Sequence, residues 1–244
     1  MPNIVEADLS SAERTLIWDL PVRVTHWLLV AAVCGSYVTH TLGSNYFRYH
    51  VWCGYLTLLL VTARLLWGFA GTRYARFTQF LRGPVAVLRY ARSLLGSGHE
   101  PHAGHNPLGG WMAALLLVGL LAQASSGLFA NDQIADSGPL FGYVSSAFSD
   151  RLTTWHRKLF DVLWVLIGVH VLAVLGYRLF KKEDLITPML SGRKARENLP
   201  RSDSKVTAAI ASSRVWLWLA ILALLSGALY LTISNAPEAS LFTF

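Results

Sequence analysis

Charge is scarce in this chain. Only 14% of its 244 residues are Asp, Glu, Lys or Arg, while 53% are hydrophobic and the mean hydropathy is +0.41. Soluble domains carry about 25% charged residues, so the balance excludes an ordinary soluble domain, and the apolar excess excludes a disordered one. Cysteine is scarcer still. Cys34 and Cys53 lie singly in separate apolar stretches at different expected depths, which argues against a bond between them and leaves two small core residues. A secretory leader is also missing from the reading: Met1 to Leu20 carries Glu6, Asp8, Glu13 and Asp19 where a basic n-region belongs. The first apolar stretch is therefore expected to stay in the protein.

What the chain does have is five long apolar stretches, near Thr25 to Leu42, His50 to Ala70, Leu108 to Ala130, Trp155 to Leu179 and Val215 to Ile233. Each is long enough for a hydrocarbon core about 30 Å thick, the first being short and polar for the purpose. The third starts at HNPLGGW, where Asn106 can cap and Pro107 takes the first helical position. The net charge of +7 would suit nucleic acid, but its placement argues otherwise. The loop from Gly71 to Pro107 carries Arg73, Arg76, Arg82, Arg89 and Arg92 against Glu100. The loop from Arg178 to Arg214 adds Lys181, Lys182, Arg193, Lys194, Arg196, Arg201 and Lys205, whereas the opposite loops carry Arg48, and Arg151 with Asp132, Asp136 and Asp150. This positive-inside asymmetry puts the N-terminus and both basic loops in the cytoplasm and, with five spans, the C-terminus outside. The divisions expected are a cytoplasmic segment over 1–24, a membrane domain over 25–179, a basic linker or lipid-surface segment over 180–214, and a fifth span with an outer tail over 215–244.

Eight histidines are present, and His156 and His170 stand 14 residues apart in the fourth stretch. Fourteen helical residues return to within about 40° of the starting face after a climb of about 21 Å. Ionisable groups at membrane depth face a bundle interior where something uses them. His26 should lie level with His170 and His50 with His156, which gives the two depth-matched pairs that bis-histidine ligation of two b haems requires. With no Cys-x-x-Cys-His, such haems are held non-covalently. His40, 14 residues after His26, competes with His50 for the outer haem, and spacing leaves both open. Arg64, 14 residues after His50 with Gly54 and Thr57 on the same stripe, is placed to meet a propionate or a quinone carbonyl, or to snorkel. Gly54 leaves room for a porphyrin, and Arg23, Arg48 and Arg151 are further propionate candidates or interface anchors. Asp161, four residues after Arg157, has the spacing of an ion pair. His99, Glu100, His102 and His105 have loose zinc-ligand spacing but read as a Gly/Pro-rich loop without cysteine.

In order, WDLPVRVTHW, RYHVWCGYLTLLLVTARLLWGF, GHNPLGG and the WHR and GVH sites resemble the bacterial cytochrome b561 and nickel-iron-hydrogenase cytochrome b family, from about Trp18 to Lys194. The residues after WHRKL, Phe160, Asp161 and Val162, depart from hydrogenase-type members. The resemblance implies an all-α integral membrane protein, a four-helix bundle binding two b haems, here with a fifth, peripheral C-terminal helix. It implies His26, His50, His156 and His170 as ligands, His40 standing aside. It also implies electron transfer in a bacterial inner membrane between quinone or quinol and a redox partner on the periplasmic face, a c-type cytochrome or a dehydrogenase such as hydrogenase. No nucleophile or acid–base pair is needed, so an electron-transfer subunit is expected rather than a stand-alone enzyme. A self-contained quinone oxidoreductase, for example one oxidising superoxide, and a haem-free anchor are the rival readings, and a homodimer is left open.

Overall fold

A computed structural model describes residues 14–94, 102–134, 136–195, 199 and 210–237. The sequence expectations for Met1 to Glu13, His99, Glu100, Arg196, Arg201, Lys205 and the tail from Glu238 fall outside the described residues. The elements in order are β1 (Arg14–Leu16), α1 (Leu20–Thr41), α2 (Phe47–Ala70), α3 (Phe77–Phe80), α4 (Pro84–Leu94), α5 (Pro107–Gly127), α6 (Ser146–Phe180), α7 (Ile186–Ser191), β2 (Arg193–Ala195) and α8 (Val215–Ser234). Among the described residues, five segments are long and apolar enough to cross a membrane: Leu20–Thr41, Ser44–Ala70, Pro107–Gly127, Ser146–Phe180 and Val215–Ser234. These are the five stretches read from the sequence, with three starts moved by more than one residue. The first begins five residues earlier, the second six and the fourth nine. The chain forms two compact units, one of residues 1–23, 67–113 and 169–215, the other of 24–66, 114–168 and 216–244.

The first unit explains the early start of α1. Asp19, fully buried, accepts from Val22 N–H at 2.8 Å, from Trp67 Nε1 at 3.0 Å and from the Thr72 hydroxyl. An aspartate before the first turn satisfies an orphan amide there. α5 opens as expected, with Asn106 Oδ1 accepting from Gly109 N–H at 2.7 Å, and Asn106 Nδ2 also donates to the Tyr177 hydroxyl at 3.1 Å. The chain after α6 folds back as a strap. Asp184 Oδ1 accepts from Ile186 and Thr187 N–H at 3.0 and 3.1 Å, and these bonds with the Thr187 hydroxyl hold its carboxyl below the usual carboxylate range. Gly192 (φ +82°) turns the chain in the left-handed region, where a side chain is strained. Its carbonyl accepts from Ile17 N–H at 2.9 Å and Trp18 N–H at 3.0 Å, and β2 pairs antiparallel with β1. Lys194, counted from the sequence among the basic residues of the loop after the fourth span, is buried: Nζ lies 2.7 Å from Glu183 Oε1 and donates to His102 O at 2.7 Å.

In the second unit the segment between α5 and α6 closes on itself. Asn131 bridges Ser137, takes Thr153 Oγ1 on its N–H at 3.0 Å and donates through Nδ2 to Ser149 Oγ and Asp150. Asp132 Oδ1 accepts from Ile134 and Asp136 N–H, both at 2.9 Å. At the far end of α8, Tyr143 donates to Asn235 O at 2.9 Å, and Trp218 is buried while most of that helix is exposed.

Candidate functional site

Within the second unit, residues from α1, α2, α5, α6 and the segment between α5 and α6 line a cavity of about 640 Å³, inside the 300–1,000 Å³ range of cofactor sites. His40, His50 and His156 all line it. The His50 and His156 ring centres are 6.3 Å apart with planes at 84°, and His40 is 6.0 Å from His50. A metal bonded to two imidazoles at about 2 Å each separates ring centres by about 6 Å, so the first pair has a suitable spacing.

The backbone sets the tautomers. His50 Nδ1 lies 2.9 Å from Ser36 O, and His156 Nδ1 lies 2.9 Å from Gln123 O. A carbonyl only accepts, so Nδ1 carries the proton on both rings and each Nε2 keeps its lone pair. This is the arrangement that orients metal-bound imidazoles. His156 is further confined by α5, which itself has no histidine. Ser126 Oγ lies 3.3 Å from Nδ1 and Gln123 Nε2 donates to Nε2 at 3.3 Å. A Cβ at Gly127 would come within 2.8 Å of Cε1. The sequence alone did not reveal the polar role of that turn.

The other candidates are placed as follows. Gly54 lines the cavity, and a Cβ built on it meets no atom within 4 Å, so open volume reaches the backbone there. Arg64 is 6% exposed on α2 in the same unit. Arg48 does not line the cavity; its guanidinium sits over the rings of Tyr49 and Trp52 at 5.4 and 5.1 Å. Arg151 is exposed and off the wall, whereas Arg157 and Asp161 both line it, and among the described residues they form no ion pair, contrary to the expectation from their spacing. Arg23, in the first unit, donates through Nη1 to Leu190 O of the strap. His26 is half-buried in the second unit, edge-on to Trp27 at 5.0 Å, and His170 is half-buried in the first. His105 packs between Trp18 and Phe80 at 4.7 and 4.6 Å, and His102 meets Tyr90 at 5.2 Å. Among the described residues no three His, Cys, Asp or Glu side chains come together as a metal centre.

Fold and site together define a multi-pass, all-α membrane protein with paired imidazoles in an apolar cavity. The chain belongs to the prokaryotic cytochrome b561 family, whose model matches residues 17–192. It is a b-type cytochrome, a haem-binding protein of electron transport. Three curated relatives are each named as a probable Ni/Fe-hydrogenase B-type cytochrome subunit. That of Bradyrhizobium diazoefficiens is 25% identical over 73% of this chain and 85% of its own. Those of Cupriavidus necator and Rhodobacter capsulatus are 23% and 24% identical, over 75% and 77% of this chain and 87% and 85% of theirs. No solved structure matches the chain. The cavity fits the haem b that the family implies: two imidazoles with fixed tautomers, an apolar wall and space down to the backbone at Gly54.

Proposed function

We propose that the chain is a di-haem cytochrome b that passes electrons across the bacterial inner membrane between the quinone pool and a redox partner on the outer face. The partner best supported is a hydrogenase-type dehydrogenase, as the names of the relatives suggest, with a c-type cytochrome as the other choice. The observation that carries the reading is the His50–His156 pair, 6.3 Å apart with both Nδ1 atoms engaged by carbonyls. These two would hold the outer haem, and His26 with His170 the inner one, in a four-helix bundle with α8 outside it. Haem b supplies one-electron chemistry at its iron. The chain's own contribution is to orient the imidazoles, exclude water with an apolar wall and keep a buried cation, Arg64, in the same unit as the pair. Asp132, Asp136 and Asp161 on the cavity wall favour a cationic protein surface over a small anionic reductant such as superoxide.

Purified protein should contain two acid-acetone-extractable haems per chain, measured by the pyridine haemochrome assay. His156→Ala should remove one and leave the other, because the two sites share a helix but no ligand. A wild-type content of one haem, or loss of both from folded mutant protein, contradicts the reading.

A further inference from the structure

Between α2 and α5 the sequence from Gly71 to Gly98 contains five arginines and no acidic residue. Helix α4 lies in this stretch, and its orientation is fixed by two bonds within the first unit. The buried Tyr90 hydroxyl is 2.8 Å from that of Tyr177, and Lys181 Nζ donates to Leu94 O at 3.0 Å. Burial, the Tyr177 hydroxyl and the Glu183 carboxylate push the Tyr90 phenol well above its ordinary value. At 100° per residue, Val85, Leu88, Arg89 and Arg92 share an arc of roughly 100° on the side away from Tyr90. All four are exposed, Val85 by 70% and Leu88 by 53%.

A stripe that mixes exposed aliphatic side chains with guanidinium groups, on a helix tethered between two membrane-crossing helices, matches the membrane interface rather than bulk water. A second observation fixes its level. Trp111, exposed near the start of α5, donates Nε1 to Arg82 O at 2.9 Å. Tryptophan at the end of a span marks the headgroup layer, so Arg82 and the start of α4 lie at that layer.

We propose that α4 lies in the membrane surface and binds anionic phospholipid, with Val85 and Leu88 in the acyl boundary and Arg82, Arg89 and Arg92 on headgroup phosphates. Arginine suits this because its planar fork meets two phosphate oxygens at once. The proposal does not depend on how many haems the chain holds.

The test uses the full chain released from mixed micelles of equal phosphatidylglycerol and phosphatidylcholine, with retained lipids counted by native mass spectrometry. Wild-type protein should retain phosphatidylglycerol in preference. Arg82→Gln, Arg89→Gln and Arg92→Gln together should abolish that preference, by roughly fivefold per arginine, and the single exposed change Arg89→Gln should give a partial loss in protein whose thermal melt is unchanged. Millimolar inorganic phosphate should not displace the lipid, since it lacks the acyl chains that meet Val85 and Leu88. No preference in the wild type, an unchanged preference in the triple variant, or release of an acidic protein instead of lipid by that variant would each overturn the assignment.

Discussion

A main-chain carbonyl has no proton to give, and two such carbonyls decide the chemistry of this cavity. Ser36 O and Gln123 O leave His50 and His156 as donors at Nδ1 and as lone-pair bases at Nε2. His40 lines the same space with no such carbonyl bond among the described residues. If the orienting bond marks a ligand, His50→Ala should abolish the low-spin spectrum of the outer haem while His40→Ala leaves it intact, checked by electron paramagnetic resonance on both variants. The reverse result would give the ligand role to α1 in place of α2. The approach of His50 and His156 was legible because their matched depth depends only on where each helix meets the membrane boundary. The cradle made by Gln123, Ser126 and Gly127 was not, because which face α5 presents to His156 depends on packing that a uniformly apolar helix does not encode. Arg48 had two readings for a related reason: a guanidinium near a membrane interface can meet a propionate or an aromatic ring, and in the structure it sits over Tyr49 and Trp52.

At the scale of elements, the membrane helices could be placed from hydropathy alone, and the first unit's strap could not. Its short strands and six-residue helix lack a periodicity long enough to read, and Lys194 looks like any other loop lysine until Glu183 and the His102 carbonyl close around it. Asp19 hid in the same way, as one acid among four before the first span, although it sets where α1 begins. The Lys194–Glu183 pair has both side chains no more than 10% exposed, so removing one member strands a buried charge at a cost of about 3–5 kcal/mol. Lys194→Met should therefore loosen the β1–β2 pairing, seen as faster limited proteolysis near Ala195 and faster amide exchange at Thr15. Lys194→Met with Glu183→Met should recover most of the loss, since an apolar pair of similar volume needs no counter-charge. A single variant as resistant as wild type would show that water enters the pair freely.

For the whole molecule, the asymmetry of charge between the two sets of loops is, on the proposed reading, the feature that would set which compartment the cavity faces, and with it the side from which a partner would approach. Moving a basic loop through the membrane is the disfavoured event, so arginine count rather than net charge sets the outcome. The loop holding α4 has five arginines, the loop after α6 adds more, and the outer segment beside the cavity holds Asp132, Asp136 and Asp150. Alkaline phosphatase, active only outside the cytoplasm, should be active when fused after Pro237 and inactive when fused after Leu94. Changing Arg73, Arg76, Arg82, Arg89 and Arg92 to Gln should give the Leu94 fusion measurable activity by letting part of the population insert inverted, while the basic loop after α6 holds the rest. Activity at Leu94 in the unaltered chain would put the His50–His156 cavity on the cytoplasmic side, and the redox partner with it.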